Sequence, residues 1–305
     1  MDAGCVGGAV SEHSFREMPG DVSRVVSRYL QLVDEMLRNR IEGLYLVGSL
    51  ALDDYHAGQS DIDFVAVSDD PLTAGEMDRL EGVHQTLLAD VGRPWFDGIY
   101  VTWSDLEHNP EDAGSVPSSH EGRLQRSGGF EANPVTWLTL RNHPFPVRGP
   151  VPRMWHDCEL LQRWNLNNLN SYWTGTAAQL ETGAARLREE AIPQIITWCV
   201  PGVVRLAYTI TTGDVTSKSG ACRYALTTYP ERWRPIVSEA LAIRSGKPLP
   251  GPAWSSRIED TIGFMRQVID AVNERQALSQ PIKDRGSVQR QATALHAGIH
   301  AADRM

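Results

Sequence analysis

The sequence predicts an α+β protein, with a small mixed sheet and its helices over residues 19–152 and an α-helical bundle over 153–284. Three observations carry that prediction. Short apolar and β-branched runs at 44–47, 61–67 and 99–103 all lie in the first half. Apolar residues spaced three and four apart flank those runs, so helices alternate with strands there. Beyond Pro152 only the helical spacing persists. At 305 residues the chain has room for two domains of ordinary size.

Taken in order, residues 1–18 lack periodicity and read as a flexible leader. Asp21 can cap a helix whose buried stripe is Val22, Val25, Val26, Tyr29, Leu30, Val33, Met36 and Leu37. The run at 44–47 enters Gly48-Ser49, and a short helical turn and a polar loop lead to the strand over 61–67. Leu80, Val83, Leu87, Leu88 and Val91 mark a helix over about 73–91, ahead of the strand at 99–103. Residues 105–133 are rich in Gly, Ser, Pro and charge, and read as a long surface loop or a substrate-side excursion. A helix over 135–141 and a strand over 145–148 precede Gly149-Pro150 and Pro152, where the domain boundary is expected. Helices follow at about 157–182, 189–212, 217–228, 231–244 and 254–277, and residues 285–305 read as a flexible tail.

Composition narrows the function classes. With 41% hydrophobic and 22% charged residues the balance is globular, and no apolar run is read as long enough to span a bilayer. Cys5, Cys158, Cys199 and Cys222 are too scattered for a zinc or dithiol site, so reduced structural thiols and a cytoplasmic location are expected. A net charge of −9 repels a phosphate backbone, which argues against nucleic acid and is compatible with a cationic small molecule.

Alternation along a strand points Asp61 and Asp63 to one face and Ile62 to the other. Two neighbouring carboxylates repel unless a cation lies between them, and magnesium prefers carboxylate and phosphate oxygens. Gly48-Ser49, at the end of the preceding strand, offers a close backbone approach and a hydroxyl, the makings of an anion cradle.

Leu46-Val47-Gly48-Ser49 followed by Ser60-Asp61-Ile62-Asp63-Phe64-Val65-Ala66-Val67 resembles the signature of the DNA polymerase β-like nucleotidyltransferase superfamily. The resemblance implies a nucleotide site including Gly48, Ser49 and Ser60, two magnesium ions on Asp61 and Asp63, and a third carboxylate, Asp97, that ligates metal and accepts the acceptor's proton. In the second half, the run from Val203 through Arg205, Gly213-Asp214 and Ser217-Lys218-Ser219 to Tyr229-Pro230 looks like the C-terminal domain of streptomycin/spectinomycin adenylyltransferases. That likeness implies that Arg205 and Lys218 reach the triphosphate.

The combined resemblance implies transfer of AMP from ATP to a hydroxyl of an aminoglycoside, aminocyclitol or related antibiotic, with release of pyrophosphate, by a monomer or weak dimer. Nucleotidyl transfer to a protein or RNA end, and a non-catalytic nucleotide sensor, are the alternatives. Two acceptor-side positions depart from the family. Its drug-stacking tryptophan is replaced after Leu124-Gln125 by Arg126-Ser127-Gly128-Gly129-Phe130. Its acidic residue falls at Ile195 or Ile196, which cannot bind an ammonium group, and both departures weigh against streptomycin itself. Trp155, Trp164, Tyr172 and Trp173 read first as core or interdomain packing and second as an acceptor cleft.

Overall fold

The protein is described from a computed structural model that covers residues 17–129, 131–247 and 254–279; most of the expected leader, Phe130 and the expected tail lie outside these. The first half runs α1 (Gly20–Leu37), β1 (Gly43–Leu46), α2 (Gly48–Ala51), β2 (Ile62–Ser68), α3 (Ala74–Val91) and β3 (Phe96–Thr102). It continues through α4 (Trp103–Leu106), β4 (Ser118–His120), β5 (Arg123–Gln125), α5 (Pro134–Asn142) and β6 (Pro146–Arg148). The strands form one mixed sheet in the order β5-β4-β3-β2-β1-β6, in which only β2 and β3 run parallel.

Period-two alternation divides the sheet into two faces. Ile62, Phe64 and Ala66 of β2, with Phe96 and Tyr100 of β3, pack under Val22, Val25, Tyr29 and Val33 of α1 and Leu80, Val83 and Leu87 of α3. Val65, Val67, Ile99 and Val101 face the opposite side, against Trp137 and Leu140 of α5. Asp63 and Asp97 belong to this second face. In both strands the second residue, Asp63 or Asp97, keeps a little accessible surface at the strand's start, although its carboxyl is surrounded closely enough to be desolvated.

Three local expectations are corrected. Asp21 lies inside the first turn of α1, whose N-cap is Pro19, and its carboxylate instead accepts the Tyr55 hydroxyl at 2.6 Å. β3 starts at Phe96, so Asp97 is within the strand and not ahead of it. The excursion over 105–133 is partly ordered as the β4–β5 hairpin, with Arg126 tied to Asp78 and Glu81 of α3.

In the second half, α6 (Cys158–Asn168) passes through a π-helical turn (Leu169–Trp173) into α7 (Thr174–Gly183). There follow α8 (Ile192–Thr212), α9 (Lys218–Thr228), α10 (Arg234–Arg244) and α11 (Trp254–Ser279). Helix α8 is central: Ile196, Cys199, Val200, Val203 and Val204 share a core with Ala221 and Cys222 of α9, Ile236 and Val237 of α10, and Phe264, Met265 and Val268 of α11. By length and composition alone the segment Glu189–Thr212 is long and apolar enough to cross a bilayer, where the sequence reading saw no such run; 56% of its apolar window is buried inside the protein, as its place at the bundle centre requires. Cys199 and Cys222 are free and buried. Cys158 is disulfide-bonded, against the reduced thiol expected.

Leu52 after α2, Leu138 of α5, Leu161 of α6 and Val215 before α9 form a small apolar joint between the halves. A Cβ on Gly98 would collide with the Phe64 carbonyl oxygen across the β2–β3 pair, whereas one on Gly20 meets nothing within 4 Å. Gly98→Ala should therefore destabilise the protein by about 1–3 kcal/mol or more and lower Tm by several degrees, while Gly20→Ala leaves Tm unchanged or slightly raised. Equal thermal midpoints for the two variants would contradict this packing.

Candidate active site

Parallel register sets Asp63 directly beside Asp97 on the neighbouring strand. Asp61, just ahead of β2, is near enough for its charge to bear on both Asp63 and Asp97. Asp63 is raised from its ordinary value to about 7, chiefly because burial disfavours its charge; Asp97 and Asp61 push it further up, while Lys218 and Arg205 pull it down. Cations from the bundle thus reach the carboxylates of the sheet. This electrostatic link joins five of the residues nominated by the sequence.

Lys218 is the first residue of α9, after Ser217, whose hydroxyl caps the helix by accepting from the Gly220 amide at 3.0 Å. Its ammonium is lowered to about 8, by burial first and then by Arg205 and Arg244, against the pull of Asp63 and Asp61. Arg205 projects from the middle of α8 and donates from Nε to the Thr216 carbonyl at 3.2 Å, which ties α8 to the segment leading into α9. Its guanidinium is also lowered, by burial first, with Asp63 opposing.

Gly48 stands at φ 59, in the left-handed region that glycine adopts at little cost, and a Cβ there would collide with Oδ2 of Asp63. The cradle and the carboxylate are therefore in immediate contact. The amide of Val47 donates to the Asp63 carbonyl at 2.9 Å, which locks the two segments together. The Ser49 hydroxyl is buried without a hydrogen-bond partner, an uncommon state for a polar atom and one that a phosphate oxygen would relieve. Ser60, expected at the nucleotide, closes the turn ahead of Asp61: its amide donates to the His56 carbonyl and its Oγ accepts from the His56 amide at 3.1 Å.

Asp97 is held by the β4–β5 turn. Its two oxygens accept from the amides of Gly122 and Glu121 at 2.8 and 2.9 Å. Its carboxyl lies above the ordinary value because burial outweighs these amides, with Asp61 adding repulsion. Each oxygen keeps a second lone pair for a further proton or ligand. Among the described residues no three carboxylate, histidine or thiol groups already enclose a metal position.

Trp198, which sequence reasoning passed over, lies on α8 with its ring 5.1 Å from the Lys218 ammonium and is 48% exposed. An aromatic on an apolar helix reads as core, and only the tertiary arrangement reveals its open face. Tyr172 is also half exposed, whereas Trp173 between them is buried. On the acceptor side Ile196 is buried and Ile195 packs against the bundle core, so neither position offers a polar group.

Comparison with known proteins agrees with this arrangement. Residues 26–95 match the nucleotidyltransferase domain, and residues 170–268 match the C-terminal domain of aminoglycoside adenylyltransferases. Among curated proteins no relative matches. Among solved structures, a similar one is spectinomycin adenyltransferase AAD(9) from Enterococcus faecialis with ATP and spectinomycin, at TM-score 0.57 and 13% identity over 81% of this chain and 99% of that one. At that identity the likeness is one of fold. The chain thus carries a nucleotidyltransferase domain followed, in that order, by an aminoglycoside adenylyltransferase C-terminal domain.

Proposed function

We propose that the protein transfers AMP from ATP to a hydroxyl of an aminoglycoside, aminocyclitol or related antibiotic and releases pyrophosphate. One observation carries this reading: the buried Asp63 lies among Asp61 and Asp97 of its own sheet and Lys218 and Arg205 of the bundle. Acids alone would repel a triphosphate, and cations alone would bind it without turnover. Similarity to AAD(9), which was solved with ATP and spectinomycin, supports the choice of co-substrate and acceptor class. The reaction belongs in the cytoplasm, where ATP is available.

Magnesium suits the donors at hand, since carboxylate oxygens are its preferred protein ligands and triphosphate oxygens complete its shell. Asp61 and Asp63 would hold it, with Asp97 alongside. When bound, it supplies neutralisation of the charge that develops on the pyrophosphate leaving group. Gly48 and Ser49 receive phosphate oxygens, the serine through its unpartnered hydroxyl. Lys218 and Arg205 oppose the triphosphate charge from the other side of the cleft. Asp97, raised by burial, takes the proton of the acceptor hydroxyl as that oxygen attacks the α-phosphorus. Trp198 and Tyr172 present open aromatic faces against which an antibiotic ring can pack.

With ATP, magnesium and a panel of aminoglycosides and aminocyclitols, pyrophosphate release should depend on the antibiotic and vanish in Asp61→Asn and Asp63→Asn. Asp97→Ala should lose about 100- to 10,000-fold in turnover and keep nucleotide binding. Lys218→Ala and Arg205→Ala should each lower kcat/KM for ATP by about 10- to 100-fold, the worth of a charge-assisted hydrogen bond. Turnover on RNA or protein and on no antibiotic would overturn the acceptor class. Tight ATP binding without any release would identify a sensor, and full activity of Asp97→Ala would remove its role as base.

Titration of Asp63 adds a pH dependence. The unfolded carboxyl ionises near 3.8 while the folded one keeps its proton to about 7, so without metal this group lowers stability as pH rises through that window. Magnesium binds the ionised form and must displace the proton. Its affinity should therefore weaken by about tenfold per unit as pH falls below 7, with proton release visible by calorimetry in buffers of different ionisation enthalpy. Affinity independent of pH between 6 and 8 would contradict the assignment of Asp63 as a ligand.

A further inference from the structure

Asp54, just past α2, and Arg244, in the last turn of α10, form an ion pair at 2.9 Å with both side chains only 8% exposed. Ser219, in the first turn of α9, completes the group. Its amide donates to Oδ2 of Asp54 at 3.0 Å, and its hydroxyl accepts from Nε of Arg244 at 3.3 Å. The guanidinium also donates to the Asp54 carbonyl at 3.2 Å, and Nε2 of His56 lies 3.2 Å from Oδ1. On the other side, the Asp54 amide donates to the Ser49 carbonyl at 2.8 Å. One residue is thus bonded both to the phosphate cradle and to the turn that begins with Lys218.

A buried ion pair contributes little net stability, because desolvation offsets the attraction, and an apolar pair can often replace it. The apolar joint of Leu52, Leu138, Leu161 and Val215 already holds the halves together. What the ion pair adds is a fixed register between α2 and α9. It also cancels a third cation: Arg244 bears on both Lys218 and Arg205, and Asp54 offsets its charge. The Asp54 carboxyl is held below its ordinary value; burial alone would raise it, and the Ser219 hydroxyl and amide, Arg244 and His56 together outweigh that.

We propose that Asp54 and Arg244, with Ser219, are positioning residues for nucleotide binding: their buried clasp holds Lys218 opposite Gly48 and Asp63, so that one triphosphate can meet groups from both halves. The clasp touches no substrate and acts through Lys218. This inference rests on the reading of Lys218 as a triphosphate ligand.

The test measures direct binding of ATP with magnesium, apart from turnover. Asp54→Asn alone would strand a buried Arg244, so the informative variant is the paired replacement Asp54→Leu with Arg244→Met, which removes both charges. It should remain folded, with Tm close to that of the wild type, yet bind ATP about tenfold or more weakly; in a Lys218→Ala background the same pair should change affinity by less than about twofold. Unchanged affinity in the folded paired variant would overturn the clasp, as would an equally large loss in the Lys218→Ala background. Should the paired variant fail to fold, Asp54→Asn with Arg244→Gln, which removes both charges and keeps an oxygen to accept from the Ser219 amide, is judged by the same two comparisons. Failure of the wild type to bind ATP would overturn the triphosphate reading itself, and the clasp with it.

Discussion

Parallel pairing of β2 with β3 brings Asp63 and Asp97 side by side on one face of the sheet, with Asp61 close enough to repel both, and burial raises both carboxyls above their ordinary values. The rest of the site is a response to this. Gly48 carries no Cβ because Asp63 occupies the space, and the β4–β5 turn donates two amides to Asp97. The bundle supplies the opposite sign through Lys218 and Arg205. Each half holds charged groups that burial leaves poorly solvated, carboxylates on the sheet side and cations on the bundle side.

The two helices that deliver the cations are set by different forces. Arg205 is carried by the core helix α8, whose position follows from apolar burial on several sides. Lys218 begins α9, and its place depends on polar contacts: the Ser217 cap, the Thr216 carbonyl tied to Arg205, and Ser219 bonded to Asp54. Packing therefore locates one cation, and a hydrogen-bonded junction orients the other.

Much of this was legible in the sequence, for physical reasons. Period-two alternation around Asp61 and Asp63, the glycine before Ser49 and the long helical stripes are local patterns, and the structure builds the corresponding elements. The β4–β5 hairpin was not legible, since Ser118-Ser119-His120 and Arg123-Leu124-Gln125 are short strands without an alternating apolar face. The strand was read from Ile99, short of Asp97, yet it begins at Phe96, whose ring stacks on Phe64 with ring centres 4.2 Å apart. Trp198 and the Asp54–Arg244 pair depend on contacts between residues far apart in the chain, which no local window contains.

A crystal structure of the protein with magnesium and a non-hydrolysable ATP analogue would test the account most directly. The account predicts metal on Asp61 and Asp63, phosphate oxygens on Ser49, and Lys218 and Arg205 both in contact with the triphosphate. A nucleotide bound away from Asp63, or one contacted by the sheet half alone with Lys218 and Arg205 turned aside, would contradict it.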